Sequence, residues 1–337
     1  MKCDRNKLHP TSSIKHHPSN ITHLLIAQVV AKVTQFDTAS QNTKKFKYNN
    51  FKMAKQAVMK VWDVQLGLAI HIKAPNGKYL VIDLGTGNWE SGNTSPLSIL
   101  RYEDIHYMII THPHLDHIDD ILKFDENEPT VLWRAKAITN DEVMEGVRDC
   151  DKPKFEKYCE VNDRFNRTIS SNEDPSSGEP FDGMTVTKYS TKLCDKSNFN
   201  NFSPVTIVRL DKIKIVICGD NESASFEKLM NQSGFQEDVS EADILVAAHH
   251  GRETGYYKDF VDKVNPRLTI ISDSSKSSTT AQTKYTSASR GWDVHNLNSG
   301  RDEKRYCLTT RSDGNIKIIF GESSTSSNGV LSVSIHA

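Results

Sequence analysis

From Val58 onward the chain is a series of short apolar runs separated by turn-forming residues. Runs of this length, rich in Val, Ile and Leu, predict strands. Val58–Val64, Leu68–Lys73 and Tyr79–Leu84 read as the first three, with Ala74-Pro75-Asn76-Gly77-Lys78 as a hairpin turn. Tyr107–Thr111 is continuously apolar, the pattern of a strand buried on both faces. Asp116–Phe124 then reads as a helix, with Ile118, Ile121 and Leu122 on one face and aspartates in the first turn. Further strands are predicted at Met184–Tyr189, Val205–Leu210, Ile213–Cys218, Ile244–Ala248, Arg267–Ser272, Val294–Leu297, Arg305–Thr310 and Ile316–Phe320. Helices are predicted near 152–166, Ser223–Asn231 and Tyr256–Val264, with a weaker one at Thr279–Ser289. The rest of 139–180 is charged and loop-rich, and the Ser-rich residues 322–337 read as a flexible tail. Strands at both ends with helices between predict two sheets packed face to face with helices outside. The expected fold is therefore one four-layer αββα sandwich of the α/β class, spanning 53–321.

Composition changes this picture little. With 36% hydrophobic and 25% charged residues, the chain fits a soluble globular protein. The longest apolar stretch near the start, Leu24–Ala31, is interrupted by Gln28 and falls far short of the roughly 20 residues a spanning helix needs. A basic stretch precedes it, but no clear cleavage site follows, so no signal peptide and no membrane association are expected. The six cysteines are scattered without a C-x-x-C pair, which argues against a zinc ribbon or a disulfide scaffold and for a reducing cytoplasm.

Charge is more informative. Residues 1–60 carry eleven Lys/Arg against Asp4 and Asp37, and the overall net charge is −1, so the arm is at +9 and the body at −10. A basic arm on an acidic body can serve nucleic-acid binding. Residues 1–52, however, lack apolar periodicity and are rich in Asn, Thr, Ser and Lys. They read as a disordered or over-extended N-terminal segment ahead of Met53.

The strongest chemical signal is Ile109-Ile110-Thr111-His112-Pro113-His114-Leu115-Asp116-His117, where a buried strand ends in three imidazoles and a carboxylate. Zinc takes imidazole and carboxylate ligands together. In an extended loop His112 and His114 can face one ion, while Asp116 and His117, opening the next helix, can face another. Two more buried strands end in ligand-type residues. Ile213–Cys218 runs into Gly219-Asp220, whose carboxylate can bridge two ions, and Ile244–Ala248 runs into His249-His250-Gly251. A single histidine is usually a solvated or hydrogen-bonded residue, but three strand ends of this kind point to a metal centre.

This series resembles the metallo-β-lactamase superfamily over most of 58–320. It is most similar to the hydrolase domain of the DNA-uptake protein ComEC and its free-standing relatives. Trp62-Asp63-Val64-Gln65-Leu66-Gly67-Leu68-Ala69 resembles the opening Asp-Val-Gly-Gln-Gly-Asp-Ala of that group, Leu80–Gly85 the strand whose Asp83 supports the metal loop, and Asn200-Asn201-Phe202-Ser203 its Asn-Asn-x-Ser segment. The resemblance implies His112, His114 and Asp220 on one ion, and Asp116, His117, Asp220 and His250 on the other, with His249 as the rival to His250. Zinc is the implied metal, two ions with one held weakly, and manganese is the alternative.

Three departures matter. No histidine lies between His117 and His249, so the first ion lacks its third imidazole unless Asn200 or Asn201 stands in. Leu68 replaces an acidic residue, and Arg252 replaces the serine after His-His-Gly. A guanidinium beside the metals suits a phosphate oxygen.

The resulting expectation is a metal-dependent hydrolase whose attacking group is a metal-activated hydroxide, with Asp116 or Asp220 orienting it and Arg252 assisting. Neither Gly-x-Ser-x-Gly nor a Walker-type Gly-rich motif is present to support a rival chemistry. The leading substrate class is a phosphodiester in a nucleic acid or nucleotide, against which the acidic body counts. A small ester, lactone or amide is the second, and a metal-binding module without turnover the third. The sequence names no protein partner.

Overall fold

The computed structural model describes residues 53–87, 94–274 and 279–336. The expectation for residues 1–52 lies outside them. Among the described residues fifteen strands form two sheets. In chain order they are β1 (Gln56–Val61), β2 (Ile70–Lys73), β3 (Tyr79–Ile82), β4 (Ile105–Ile109), β5 (Val131–Trp133), β6 (Thr185–Tyr189), β7 (Val205–Leu210), β8 (Ile213–Ile217), β9 (Ile244–Val246), β10 (Leu268–Ile271), β11 (Trp292–Asn296), β12 (Arg301–Arg305), β13 (Cys307–Thr309), β14 (Ile316–Gly321) and β15 (Val330–Ile335). The larger sheet has the order β12-β11-β15-β14-β1-β2-β3-β4-β5, and the smaller β13-β10-β9-β8-β7-β6.

The alternation of the sequence explains the layers. In β1, Ala57, Met59 and Val61 point inward, and with Ile70, Ile72, Leu80, Ile82, Ile316, Ile318 and Phe320 they meet Ile215, Ile217, Ile244, Val246, Leu268 and Ile270 of the other sheet in one buried cluster. The outer face of the smaller sheet is covered by Phe226, Leu229, Phe235, Phe260, Val261 and Tyr285 of its helices. Ile118, Ile121, Phe124, Tyr158 and Val161 cover the β3–β5 end of the larger one. This is the αββα sandwich. Among the described residues no helix is long and apolar enough to cross a membrane.

Strand direction sets the site. β3, β4 and β5 run parallel, as do β8, β9, β10 and β13. The chain segments that follow β3, β4, β8, β9 and β10 therefore begin with Asp83, the His112 loop, Asp220, the His249-His250 turn and Ser272.

Two expectations fail. The residues taken as a tail contain β15, which pairs antiparallel with β14 and parallel with β11, and Val333 and Ile335 are 1% exposed. A Ser-rich run looked too polar for a strand, yet Val330, Leu331, Val333 and Ile335 supply enough apolar surface once two neighbours are in place. The helix expected over Asp116–Phe124 is a single turn at Leu115–Ile118 followed by a 3₁₀ segment at Ile121–Glu126. There the backbone follows the metal loop, with Leu84 N–H donating to His117 O and Asp120 N–H to Leu84 O.

Candidate metal centre

The centre is built outward from Asp83, fully buried at the end of β3 with φ at +60°. Its Oδ1 accepts from Thr111 N–H at 2.7 Å, and its Oδ2 accepts from Thr111 Oγ1 and from His117 Nδ1, both at 2.7 Å. With Nδ1 directed at Asp83, His117 leaves Nε2 as the nitrogen open to a second proton or to a metal ion. That atom is buried and makes no hydrogen bond, yet lies 3.3 Å from Asp220 Oδ1 and 3.9 Å from Asp116 Oδ2. His250 repeats the arrangement. Its Nδ1 donates to Ser272 O at 2.9 Å, and its buried Nε2, also without a hydrogen bond, is 3.3 Å from Asp116 Oδ2 and 3.4 Å from Asp220 Oδ2.

Two orphaned imidazole nitrogens facing carboxylate oxygens at these separations are poor hydrogen bonds. They match the edges of a coordination shell, since ligand atoms about 2.1 Å from a tetrahedral zinc stand about 3.4 Å from one another. The donor set fits zinc, and its carboxylates also suit manganese.

Electrostatics agrees with this. Burial works against a charged His250, but Asp220 and Asp116 overcome it and raise its pKa to about 10. Burial likewise opposes a charged His117, and Asp220, Asp83 and Asp116 lift it well above the usual imidazole range. Burial also opposes ionisation of Asp220, and His250 and His117 pull it well below the ordinary carboxylate value. His112 and His114 move the other way: burial and the neighbouring His117 lower both.

Five of the seven expected ligands converge. His112, His117 and Asp220 offer atoms within 4.8 Å of one another, and so do Asp116, His117 and His250. His117 thus belongs to both groups. His114 is farther out, its Nδ1 at 2.9 Å from His112 Nε2 and its ring 6.0 Å from that of Phe199. His249 is turned away from its neighbour. Its Nδ1 lies 2.9 Å from Glu222 Oε1, and its Nε2 lies 3.0 Å from Arg252 Nη1 and 3.9 Å from Asp220 Oδ2. His249 and His250 both have positive φ, 47° and 52°, ahead of Gly251 at 71°. This turn, costly for side chains with a Cβ, sends two consecutive imidazoles to different partners.

The departures now have physical content. Asn201 Oδ1 already accepts one hydrogen bond, from Glu222 N–H, whereas Asn200 Oδ1 is buried without a partner. Leu68 is 4% exposed and joins the core between the sheets, while the neighbouring Gly67 lies so close to the metal loop that a Cβ there would stand 2.4 Å from Asp116 O. Arg252 reaches Asp220 only across His249, and its Nε is buried without a partner.

Sequence reasoning missed Thr111, Ser203, Glu222 and Ser272. Ser203 Oγ lies 3.3 Å from His112 Nδ1 and accepts from Asp220 N–H at 3.3 Å. Ser272 was findable, because Leu268–Ile271 is another apolar strand that ends in polar residues.

Residues 64–187 match the sequence model of the metallo-beta-lactamase superfamily. The chain has the metallo-beta-lactamase fold, and over residues 64–187 it is similar to that superfamily, whose members are mostly metal-dependent hydrolases. Three solved structures are similar. The metallo-beta-lactamase fold protein YhfI from Bacillus subtilis is 12% identical at a TM-score of 0.36, with 67% of this chain and 90% of that one covered. Zinc-bound PqqB from Methylobacterium extorquens is 14% identical at a TM-score of 0.41, with 74% and 86% covered. A long-form RNase Z from yeast is 12% identical at 0.35, with 79% and 45% covered. No curated protein matches the chain.

Proposed function

We propose that the chain is a metal-dependent phosphodiesterase of the type found in ComEC-like hydrolases, acting on a nucleic acid or nucleotide. The observation that carries this reading is Arg252, a cation whose Nη1 lies 3.0 Å from His249 Nε2, the same atom that stands 3.9 Å from Asp220 Oδ2. A guanidinium beside a carboxylate-rich centre suits the phosphoryl oxygens of a substrate.

His112, Asp116, His117, Asp220 and His250 would hold the metal, with His114 and Asn200 as the candidate donors for a weaker second position. When bound, the metal supplies positive charge that acidifies water and polarises the phosphoryl group. The chain's own contribution is orientation. Asp83 and Ser272 O fix the tautomers of His117 and His250, and Asp116 offers a carboxylate oxygen at the rim. Arg252 binds the phosphoryl oxygen as charge builds on it.

The test uses full-length protein loaded with zinc or manganese, given a bis-phosphodiester dye, single-stranded DNA and a carboxylic ester dye. Hydrolysis of the diesters, reduced in Arg252→Lys and more so in Arg252→Ala, is expected. Turnover confined to the ester dye would replace this reading with a small-ester hydrolase. Full metal content without any turnover would make the chain a binding module.

A further inference from the structure

The metal centre occupies only part of the edge where the two sheets open. β5 is parallel to β4, and Ile110 N–H donates to Trp133 O at 3.0 Å, so Arg134–Ala137 run on beside the metal loop. β6 is antiparallel to β7, and β7 to β8, so β6 points the same way as β8 and Ser190–Lys192 emerge at the edge that carries Asp220. A cavity of about 270 Å³ lies between these two strand ends, lined by Trp133, Arg134, Lys136, Thr191, Lys192 and Phe202 among others. Phe202 closes the turn that holds Asn200 and Asn201, and Phe199 of the same turn faces His114. The cavity is therefore next to the metal centre, on the same edge.

Its charge departs from its surroundings. The body carries a net −10, but the cavity lining includes Arg134, Lys136 and Lys192 and no acidic residue. Arg134 is 5% exposed, and its guanidinium is bonded to Asn162 and, at 3.4 Å, to the Asn166 amide rather than to a carboxylate. Lys136 Nζ meets the same Asn166 amide oxygen at 3.4 Å, and Lys192 is exposed. Trp133 adds a half-buried aromatic face.

We propose that this cavity binds a further phosphate of a single nucleic-acid strand whose neighbouring phosphodiester lies at the metal centre. The preferred substrate is then a strand with at least two phosphates, in place of a mononucleotide or an isolated diester. The cations attract the backbone without regard to sequence, and Trp133 offers a surface for a base. This inference rests on the phosphodiesterase reading.

The test compares the zinc-loaded full chain with the double variant Lys136→Glu, Lys192→Glu. One measurement is fluorescence anisotropy with a labelled single-stranded oligonucleotide of about ten residues. The other is turnover of that oligonucleotide and of the bis-phosphodiester dye. In the variant the oligonucleotide Kd should rise roughly tenfold at low salt, and the slope of log affinity against log salt should fall by about 0.7, one phosphate contact's worth. The ratio of kcat/KM for oligonucleotide over dye should fall roughly tenfold with the loss in KM, and Lys136→Arg, Lys192→Arg should restore it. The basic arm is present in every protein compared, so it cancels. Equal affinity, slope and ratio in the native and Glu-substituted chains would overturn the inference. Lys-dependent binding with no diester turnover by the native chain would overturn the phosphodiesterase reading and leave the strand site standing.

Discussion

A proton and a metal ion compete for the same atoms at this centre. His117 Nε2 and His250 Nε2 hold protons strongly in the metal-free chain because Asp220 and Asp116 face them, and those carboxylates would hold a cation for the same reason. Asp220 is within 4 Å of nitrogens of His112, His117, His249 and His250, more than any other carboxylate among the described residues. Asp220→Ala is therefore expected to lower bound metal furthest, His250→Ala to lower it clearly, and His249→Ala to leave it near the native level. Elemental analysis after gel filtration checks the order, and metal loss in His249→Ala equal to that in His250→Ala would mean that the two imidazoles serve alike. One ion should be held more tightly than the other, since His114 and Asn200 stand outside the converged groups. Asn200→Asp should tighten the weaker one, and two equal affinities in the native chain would contradict this.

A second residue-scale prediction lies away from the metal. Lys188 has its ammonium 4.9 Å over the Tyr107 ring, and burial lowers its pKa to about 8, with Asp174 opposing the shift. Below pH 8 the folded and unfolded chains are both charged at this residue, so the burial penalty is complete. It is relieved as pH rises from about 8 towards the unfolded value near 10.4. Lys188→Met should raise Tm at pH 7 by a few degrees, from a penalty of about 3 kcal/mol, and the advantage should shrink towards pH 10. A difference in Tm that is flat over that range would remove burial as its cause.

At the scale of elements, β15 shows how a strand can be hidden in its sequence. Ser323, Ser324, Ser326, Ser327, Ser332 and Ser334 give 322–337 the composition of a tail. Its apolar residues become a strand because β11 and β14 each lack a neighbour on that side without it. Ile335→Ala is expected to cost about 2–5 kcal/mol by chemical denaturation, the range for a buried aliphatic residue. A cost below about 0.5 kcal/mol would be that of a surface residue and would place Ile335 outside the core. β12, Arg301–Arg305, escaped notice for a related reason: it is nearly all charged and exposed, and pairing with β11 alone makes it a strand.

Over the whole molecule, the inner faces of both sheets form one core that begins at Ala57. A chain lacking residues 1–52 is expected to unfold within about 2 °C of the full chain and to retain its metal. A drop of several degrees would make the N-terminal arm part of that core. Lys55 already closes the described fold at this end, its N–H donating to Glu322 and its ammonium paired with Asp182.

The sequence by itself determined the layers and the chemistry at the strand ends. Apolar periods of two mark which faces are buried, and His112, Asp116, His117, Asp220 and His250 follow apolar runs that can only end at a sheet edge. Tertiary structure decided what depends on direction and neighbours. It set His250 against His249 through a left-handed turn that no period encodes, and placed His117 in both donor groups through its bond to Asp83. It bonded the carbonyl of Asn201 to the Glu222 N–H, and made a basic cavity out of Lys136 and Lys192, far apart in the chain. Periodicity reports burial one residue at a time, whereas a metal centre is a set of angles among side chains from separate strands, fixed only when the sheets pack.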